Sequence, residues 1–134
     1  MLFFLEDYDK AYVDFKKFIY FDDEGLDYLL QGCYLFASIT LTQEDNCILL
    51  ERYNRLIDNY SNKSDIENMC ETKLELAMCY YFLSERYESR DYYDKGKKIL
   101  DELSIKYLGI YNTKRDEDIR RLNEMYKDLD KKFK

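Results

Sequence analysis

Apolar residues recur along the chain with the three- and four-residue spacing of amphipathic helices, and short polar segments separate one such stretch from the next. The predicted helices cover residues 7–20, 25–38, 42–59, 64–83, 88–107 and 115–133. Short connections of this kind make neighbouring helices into antiparallel hairpins. The pattern therefore predicts an all-α fold, in a single domain that spans residues 1–134.

Polar residues mark several of the predicted helix boundaries. Thr42 with Glu44 and Asp45 indicates a helix start, and Ser64 followed by Glu67 has the form of a capping box. The segment 84–87 predicts a tight connection between two helices. The segment 25–38 is apolar nearly all round, whereas the last helix is amphipathic. Its apolar face comprises Ile119, Leu122, Met125, Tyr126, Leu129 and Phe133.

The composition narrows the fold and the chemistry. Gly 4 and Pro 0 leave few turn residues, which argues against an all-β sandwich or barrel. Because the sequence has no histidine, Ser-His-Asp and Cys-His catalysis and histidine metal ligands are excluded within it. It also lacks a P-loop and a dinucleotide-binding glycine motif. We therefore expect a chain that is not an enzyme and needs neither a cofactor nor a metal.

Charge and cysteine usage bear on partners and location. The net charge of −7 disfavours a nucleic-acid partner, because the phosphate backbone attracts basic surfaces. No segment approaches the roughly 20 apolar residues of a membrane span. The four cysteines lack metal-site spacing, so we expect reduced thiols packed as small apolar groups and a cytoplasmic, soluble protein. These residues are Cys33, Cys47, Cys70 and Cys79.

One helical spacing recurs along the chain, with a small or apolar residue followed four and seven positions later by further packing residues. The three sets begin 38 and 40 residues apart. They are Ala11/Phe15/Phe18, Leu49/Tyr53/Leu56 and Ser89/Tyr93/Gly96. Positions i, i+4 and i+7 share one face of a helix, so each set predicts a packing stripe.

A second spacing precedes two of these stripes, as Leu76-Ala77-x-x-Tyr80 and as Tyr28-x-x-Gln31-Gly32-x-x-Leu35. With it, the chain resembles the tetratricopeptide repeat (TPR) family over residues 6–107, most closely over 73–100. The closing proline of that repeat is missing throughout. The resemblance implies hairpins stacked as a short superhelix, with 115–133 as a capping or groove-covering helix. A generic helical bundle with ordinary packing stripes is the alternative.

In the TPR family, the first helix of each hairpin lines a concave groove that holds a peptide or a partner helix. The resemblance places the groove residues at Leu26, Leu29, Leu30, Cys33, Phe36, Glu71, Leu74, Glu75, Met78, Tyr81 and Phe82. Neither Lys nor Asn occurs among them, which disfavours the carboxylate clamp that some members use. An alternative for the 25–38 segment is that these are simply core residues.

The amino end predicts a contact with another molecule. If 6–18 is the second helix of a hairpin, the apolar residues before it stand where a solenoid end needs a polar cap. We therefore expect that the chain is a fragment of a longer solenoid, that another protein covers this end, or that Phe3 and Phe4 contribute to self-association as a homodimer.

These features favour a non-catalytic protein-interaction scaffold, adaptor or complex subunit that binds a protein or peptide in an apolar groove. The alternative is a peptide-sensing regulatory domain of a bacterial regulator, a class that resembles this architecture. A plain structural helical bundle is the third hypothesis.

Overall fold

A computed structural model describes residues 8–38, 42–109 and 113–133. Every regular element in these ranges is a helix, which confirms the all-α prediction. Phe3 and Phe4 lie outside the described residues. The buried residues form a core cluster with members from all five α-helices named below. None of the helices in the described ranges is both long enough and apolar enough to cross a lipid bilayer.

The first helix, α1, spans Tyr8–Tyr20, as the spacing predicts. It buries Ala11, Phe15 and Ile19 in the core, and the Phe15 ring stacks on Phe36 at a centroid distance of 4.5 Å. Phe18, the third member of the first packing stripe, is half-buried against the same core.

The prediction of one α-helix over 25–38 is wrong. The segment forms two 3₁₀ helices, Glu24–Leu30 and Cys33–Ser38, separated by a turn at Gly32 with φ of +82°. Glycine adopts this left-handed conformation without steric cost, and it ends the first 3₁₀ helix. Three residues per turn bring Asp27 and Leu30 onto the same inward face. Apolar content alone does not distinguish this winding from an α-helix.

The second α-helix, α2, spans Gln43–Asn62, three residues further than expected at its carboxyl end. Its predicted start is confirmed. The Thr42 hydroxyl accepts a hydrogen bond from the Asp45 N–H at 3.1 Å, and the Asp45 carboxylate accepts from the Thr42 N–H at 3.2 Å. This capping box satisfies donors that the first turn of a helix otherwise leaves free.

Helix α3 spans Ile66–Tyr87, and both of its predicted ends need correction. Asp65 caps its start by accepting from the Asn68 N–H, whereas Ser64 lies outside the helix at φ of 57°. The predicted connection over 84–87 is wrong because the helix continues through it. The chain reverses instead at Glu88, in the left-handed region at φ of 49°, and at Ser89, the cap of the next helix.

The last two α-helices pack on α3. Helix α4 spans Arg90–Lys106, and α5 spans Thr113–Asp130, followed by a 3₁₀ turn at Lys131–Phe133. Helix α3 is central because it contacts α2, α4, α5 and the second 3₁₀ helix. Gly96 is the point where α4 approaches both neighbours, since an added Cβ would clash with the Tyr126 hydroxyl and lie 2.8 Å from Tyr80 Cβ.

Helix α5 lies against the same side of α3 as several predicted groove residues. The Tyr126 hydroxyl donates to the Ala77 carbonyl at 2.7 Å, and the Tyr126 ring meets the Tyr81 ring edge-on at 5.5 Å. Ile119, Leu122, Tyr126 and Leu129 of the predicted apolar face are buried. The carboxyl-terminal helix thus folds back within the chain and covers part of α3.

Candidate functional site

The predicted groove residues divide into core residues and surface residues. Leu30, Cys33, Phe36 and Leu74 are buried. Their assignment to a partner-binding groove is therefore corrected to the core, which is the alternative stated above for the 25–38 segment. The other groove residues keep exposed surface. They are Leu26, Leu29, Glu71, Glu75, Met78, Tyr81 and Phe82.

Much of the aromatic surface of α3 is covered by the chain itself. The Phe82 ring stacks on Tyr34 of the second 3₁₀ helix at 6.2 Å, and Tyr81 contacts Tyr126 of α5. Met78 is half-buried against the core. A continuous apolar groove along α3 does not exist among these residues, because the second 3₁₀ helix and α5 occupy both sides of it.

Glu71 and Glu75 instead line a polar cleft of about 120 Å³ between the first 3₁₀ helix, α2 and α3. Four polar residues on α3 share one face at helical spacing and supply its floor. They are Asn68, Glu71, Thr72 and Glu75. Three tyrosines, two leucines and one amide from the first 3₁₀ helix, the turn after it and α2 complete the walls. They are Tyr28, Leu30, Gln31, Tyr53, Leu56 and Tyr60.

Glu75 is a half-buried carboxylate of this cleft. Its Oε1 accepts a hydrogen bond from the Gly32 N–H at 2.6 Å, which the turn between the two 3₁₀ helices presents to α3. The Tyr53 hydroxyl lies 3.4 Å from the same oxygen. Burial raises the pKa of Glu75 from its ordinary 4.5 to about 7, the Glu71 carboxylate adds to the rise, and the two hydrogen bonds oppose it.

Tyr53 ties the walls of the cleft together. Its hydroxyl oxygen accepts from the Tyr34 N–H at 3.1 Å, and its one proton is shared between the Leu30 carbonyl at 3.0 Å and Glu75 Oε1 at 3.4 Å. Burial raises the pKa of Tyr53 well above its usual value, so the hydroxyl stays protonated. One side chain of α2 therefore fixes both 3₁₀ helices beside Glu75.

Glu71 stands at the rim of the cleft next to α5. The buried Arg115 guanidinium lies 3.3 Å from the Glu71 carboxylate, which keeps 43% of its side-chain surface exposed. Glu71 thus has a cationic partner within the chain. Glu75 has no ion pair with any residue in the described ranges.

A second carboxylate, Asp27, lies buried on the first 3₁₀ helix and is fully compensated. Arg52 donates to it at 2.9 and 2.7 Å, and Arg55 donates at 2.6 and 3.0 Å. Burial alone would raise the pKa of Asp27, but the hydrogen bonds and charges of the two arginines lower it overall. The larger depression beside this cluster, about 650 Å³, is lined by these two arginines, which already pair with Asp22 and Asp27.

The cysteines carry no site chemistry in this arrangement. Cys33, Cys70 and Cys79 are buried free thiols, and burial raises the pKa of Cys33 to about 12. Cys47 is exposed, which corrects the expectation that all four pack as apolar groups. Among the described residues, no three acidic or cysteine side chains come together as a metal-ligand set.

Sequence reasoning named Leu30, Glu71 and Glu75 of this cleft but missed its other residues. A signal was present on α3, where Asn68, Glu71, Thr72 and Glu75 form a polar stripe opposite the apolar ones. The residues contributed by α2 and by the turn at Gly32 carried no such signal, because they approach α3 only in three dimensions.

Comparisons with protein-family models, curated proteins and solved structures give no significant match to this chain. The resemblance to the TPR family stays a prediction from the sequence motifs.

Proposed function

We propose that this chain is a non-catalytic protein-interaction module that receives a segment of a partner protein or peptide at the cleft around Glu75. The observation that carries the proposal is the polar stripe of α3, which lines a cleft where one carboxylate oxygen of Glu75 accepts no hydrogen bond from the described residues. The other large charged cluster, around Asp27, is closed by internal ion pairs. A cleft of mixed polar and aromatic lining suits recognition of a side chain.

Tyr28 supports this assignment at the mouth of the cleft. It lines the cleft and yet keeps 60% of its surface exposed. Tyrosine is enriched at binding surfaces because it offers large contact area and a polar end for little conformational entropy.

The proposal has three further parts. The hairpins stack in the TPR manner, the module works in the cytoplasm, and self-association involves Phe3 and Phe4.

Selection of peptides and measurement of their affinity test the proposal. Peptides enriched on the protein from a random phage-displayed library would be titrated by fluorescence polarisation against the wild type and two variants. Tyr28→Ala removes an aromatic ring from the cleft, and Phe21→Ala removes an equally exposed ring, at 59%, that does not line the cleft. We expect at least about tenfold weaker binding for Tyr28→Ala and little change for Phe21→Ala.

Two outcomes would contradict the proposal. One is a library selection that enriches no peptide, and the other is a set of peptides that bind both variants equally.

Light scattering over a dilution series tests the homodimer separately. If Phe3 and Phe4 form the contact, replacing both with Glu should reduce the molar mass without unfolding the protein.

A further inference from the structure

We propose that the cleft takes a primary ammonium group, the end of a lysine side chain of the partner, with the Glu75 carboxylate as its acceptor. This inference rests on the proposed function and names the chemistry that the partner must carry. It follows from the charges of the cleft, from its size and from its lining.

The carboxylate of Glu75 has unused acceptor capacity. Oε1 receives the Gly32 N–H and lies near the Tyr53 hydroxyl, whereas Oε2 accepts no hydrogen bond from the described residues. Arg115, the cation that contacts the rim, lies against Glu71 instead. A partly buried carboxylate without a cation is destabilising, and the chain compensates the fully buried Asp27 with two arginines.

Size and lining favour an ammonium group over a bulkier cation. About 120 Å³ corresponds to about four water-sized groups at 30 Å³ each, enough for an ammonium and the last methylene groups of a side chain. An ammonium donates three hydrogen bonds. Glu75 supplies one acceptor, Gln31 and Asn68 line the cleft and carry amide oxygens that can accept, and tyrosine rings suit the methylene stem and the charge.

The electrostatics of the whole chain point in the same direction. The net charge of −7 attracts basic partners over distances of about a Debye length. Within the cleft, Arg115 offsets the charge of Glu71, so Glu75 is the carboxylate that no cation of the described residues neutralises. This negative potential would attract a partner lysine. Its ammonium group would lose its bound water only where hydrogen bonds to the Glu75 carboxylate replace those to water.

The test uses NMR of the full ¹⁵N-labelled chain, with N-acetyl-lysine methylamide as the probe. The Gly32 amide is the readout because its proton bonds Glu75 directly. At about pH 8, where the carboxylate is ionised, we expect a saturable shift of this signal. N-acetyl-norleucine methylamide, which has the same stem without the charge, should produce no such shift.

Two variants make the test specific. Glu75→Gln keeps an oxygen for the Gly32 N–H but removes the charge, so we expect binding at least about fivefold weaker. Glu51→Gln removes an exposed carboxylate of α2 outside this cleft and should bind as the wild type does. Unchanged chemical shifts elsewhere would show that the Glu75→Gln variant is folded. No saturable shift, an equal shift with the norleucine probe, or full binding by Glu75→Gln would overturn the inference.

Different experimental outcomes distinguish the failure of this inference from the failure of the proposed function. Peptides that require Tyr28 but contain no basic residue would overturn the ammonium site and leave the interaction module standing. Methylammonium chloride that binds as tightly as the lysine derivative, with no selected peptide competing, would indicate a site for a free amine and overturn the docking of a partner lysine.

Discussion

Two carboxylates near the same 3₁₀ helix, Asp27 and Glu75, are held in opposite ways. Asp27 is fully buried, yet it receives four N–H donors from Arg52 and Arg55. Glu75 receives one backbone N–H and lies near one phenol, with no cation from the described residues. Their pKa values move in opposite directions, downward for Asp27 and upward to about 7 for Glu75.

This difference distinguishes a charge that stabilises the fold from a charge that can still bind a ligand. A carboxylate whose bonds are filled by arginines on a neighbouring helix fixes two elements to each other. A carboxylate that keeps its charge in a cleft, with spare acceptor capacity, stabilises the fold less and retains binding capacity for a ligand. Each of the following predictions concerns a substitution at one of these two carboxylates, at a residue that contacts it or, for Asp22, at a residue that shares an arginine with it.

The largest expected effect comes from removing the compensated carboxylate. Asp27→Ala removes the acceptor of Nε and Nη2 of Arg52, whose side chain is only 4% exposed, and leaves only the Phe18 carbonyl as the acceptor of Nη1. Breaking a buried ion pair in this way costs about 3–5 kcal/mol. Urea denaturation at neutral pH should show a loss of this size in the free energy of unfolding. A loss below about 1 kcal/mol would mean that Asp27 is not the structural member of the pair.

The next effect concerns the pH dependence of stability and Glu75. Because the folded protein holds the proton up to a pKa of about 7 and the unfolded chain releases it near 4.5, the folded state binds more protons between these values. The free energy of unfolding should therefore fall as pH rises through this window. Glu75→Gln should remove the fall and be more stable at about pH 8, by on the order of 2 kcal/mol.

Urea denaturation at intervals across this range measures that slope, with Glu51→Gln as the control for loss of one charge. Asp27 and Asp45 do not interfere, because their pKa values lie below the ordinary 3.8 and their contributions are lost only at lower pH. If the free energy of unfolding changes with pH equally in Glu75→Gln and the wild type, Glu75 does not have the raised pKa that distinguishes it from Asp27.

A smaller effect is expected from Tyr53→Phe. The change leaves the Leu30 carbonyl and the Tyr34 N–H without the hydroxyl, at a cost of about 1–2 kcal/mol. It also removes a hydrogen bond that lowers the pKa of Glu75, so the midpoint of the pH-dependent fall should move to higher pH. Tyr28→Phe, in the exposed tyrosine of the same cleft, should change neither quantity; equal effects from both variants would contradict the role of Tyr53.

The smallest effect is expected at the edge of the arginine cluster. Asp22 pairs with Arg55 at 2.7 Å, but its side chain is 83% exposed. Surface pairs of this kind contribute about 0–1 kcal/mol, and Arg55 keeps Asp27 as its second partner. Asp22→Asn should therefore hardly shift the urea midpoint. A shift as large as that of Asp27→Ala would show that the exposure of a carboxylate does not determine how much its ion pair contributes to stability.

Local interactions account for what the sequence predicted well. The capping box of Thr42 and Asp45 spans three residues, and the buried stripe of α5 follows from helical spacing alone. The winding of 25–38 was not predictable from apolar content, because the inward face of a 3₁₀ helix depends on what Asp27 meets on α2. At α3, the sequence predicted Ser64 as the cap, but Asp65 is the residue that caps the helix, because Ser64 has a left-handed backbone at φ of 57°.

The candidate site was predictable only in part for a related reason. Glu71 and Glu75 were named because the resemblance to the TPR family places them in the groove, but the donor of Glu75 is 43 residues away at Gly32. The arginines of Asp27 are likewise 25 and 28 residues distant. No spacing rule within one helix specifies which distant residue supplies a counter-charge, and this is the property that separates the two carboxylates.

The close approach at Gly96 has a consequence for how this chain can evolve. A side chain at position 96 would occupy the space of the Tyr126 hydroxyl, which reaches past the glycine to the Ala77 carbonyl. A lineage that replaces the glycine should first have replaced the tyrosine by phenylalanine or a smaller residue. In any set of descendants, the two positions should therefore change in a fixed order, and chains with both a side chain at 96 and tyrosine at 126 should be rare.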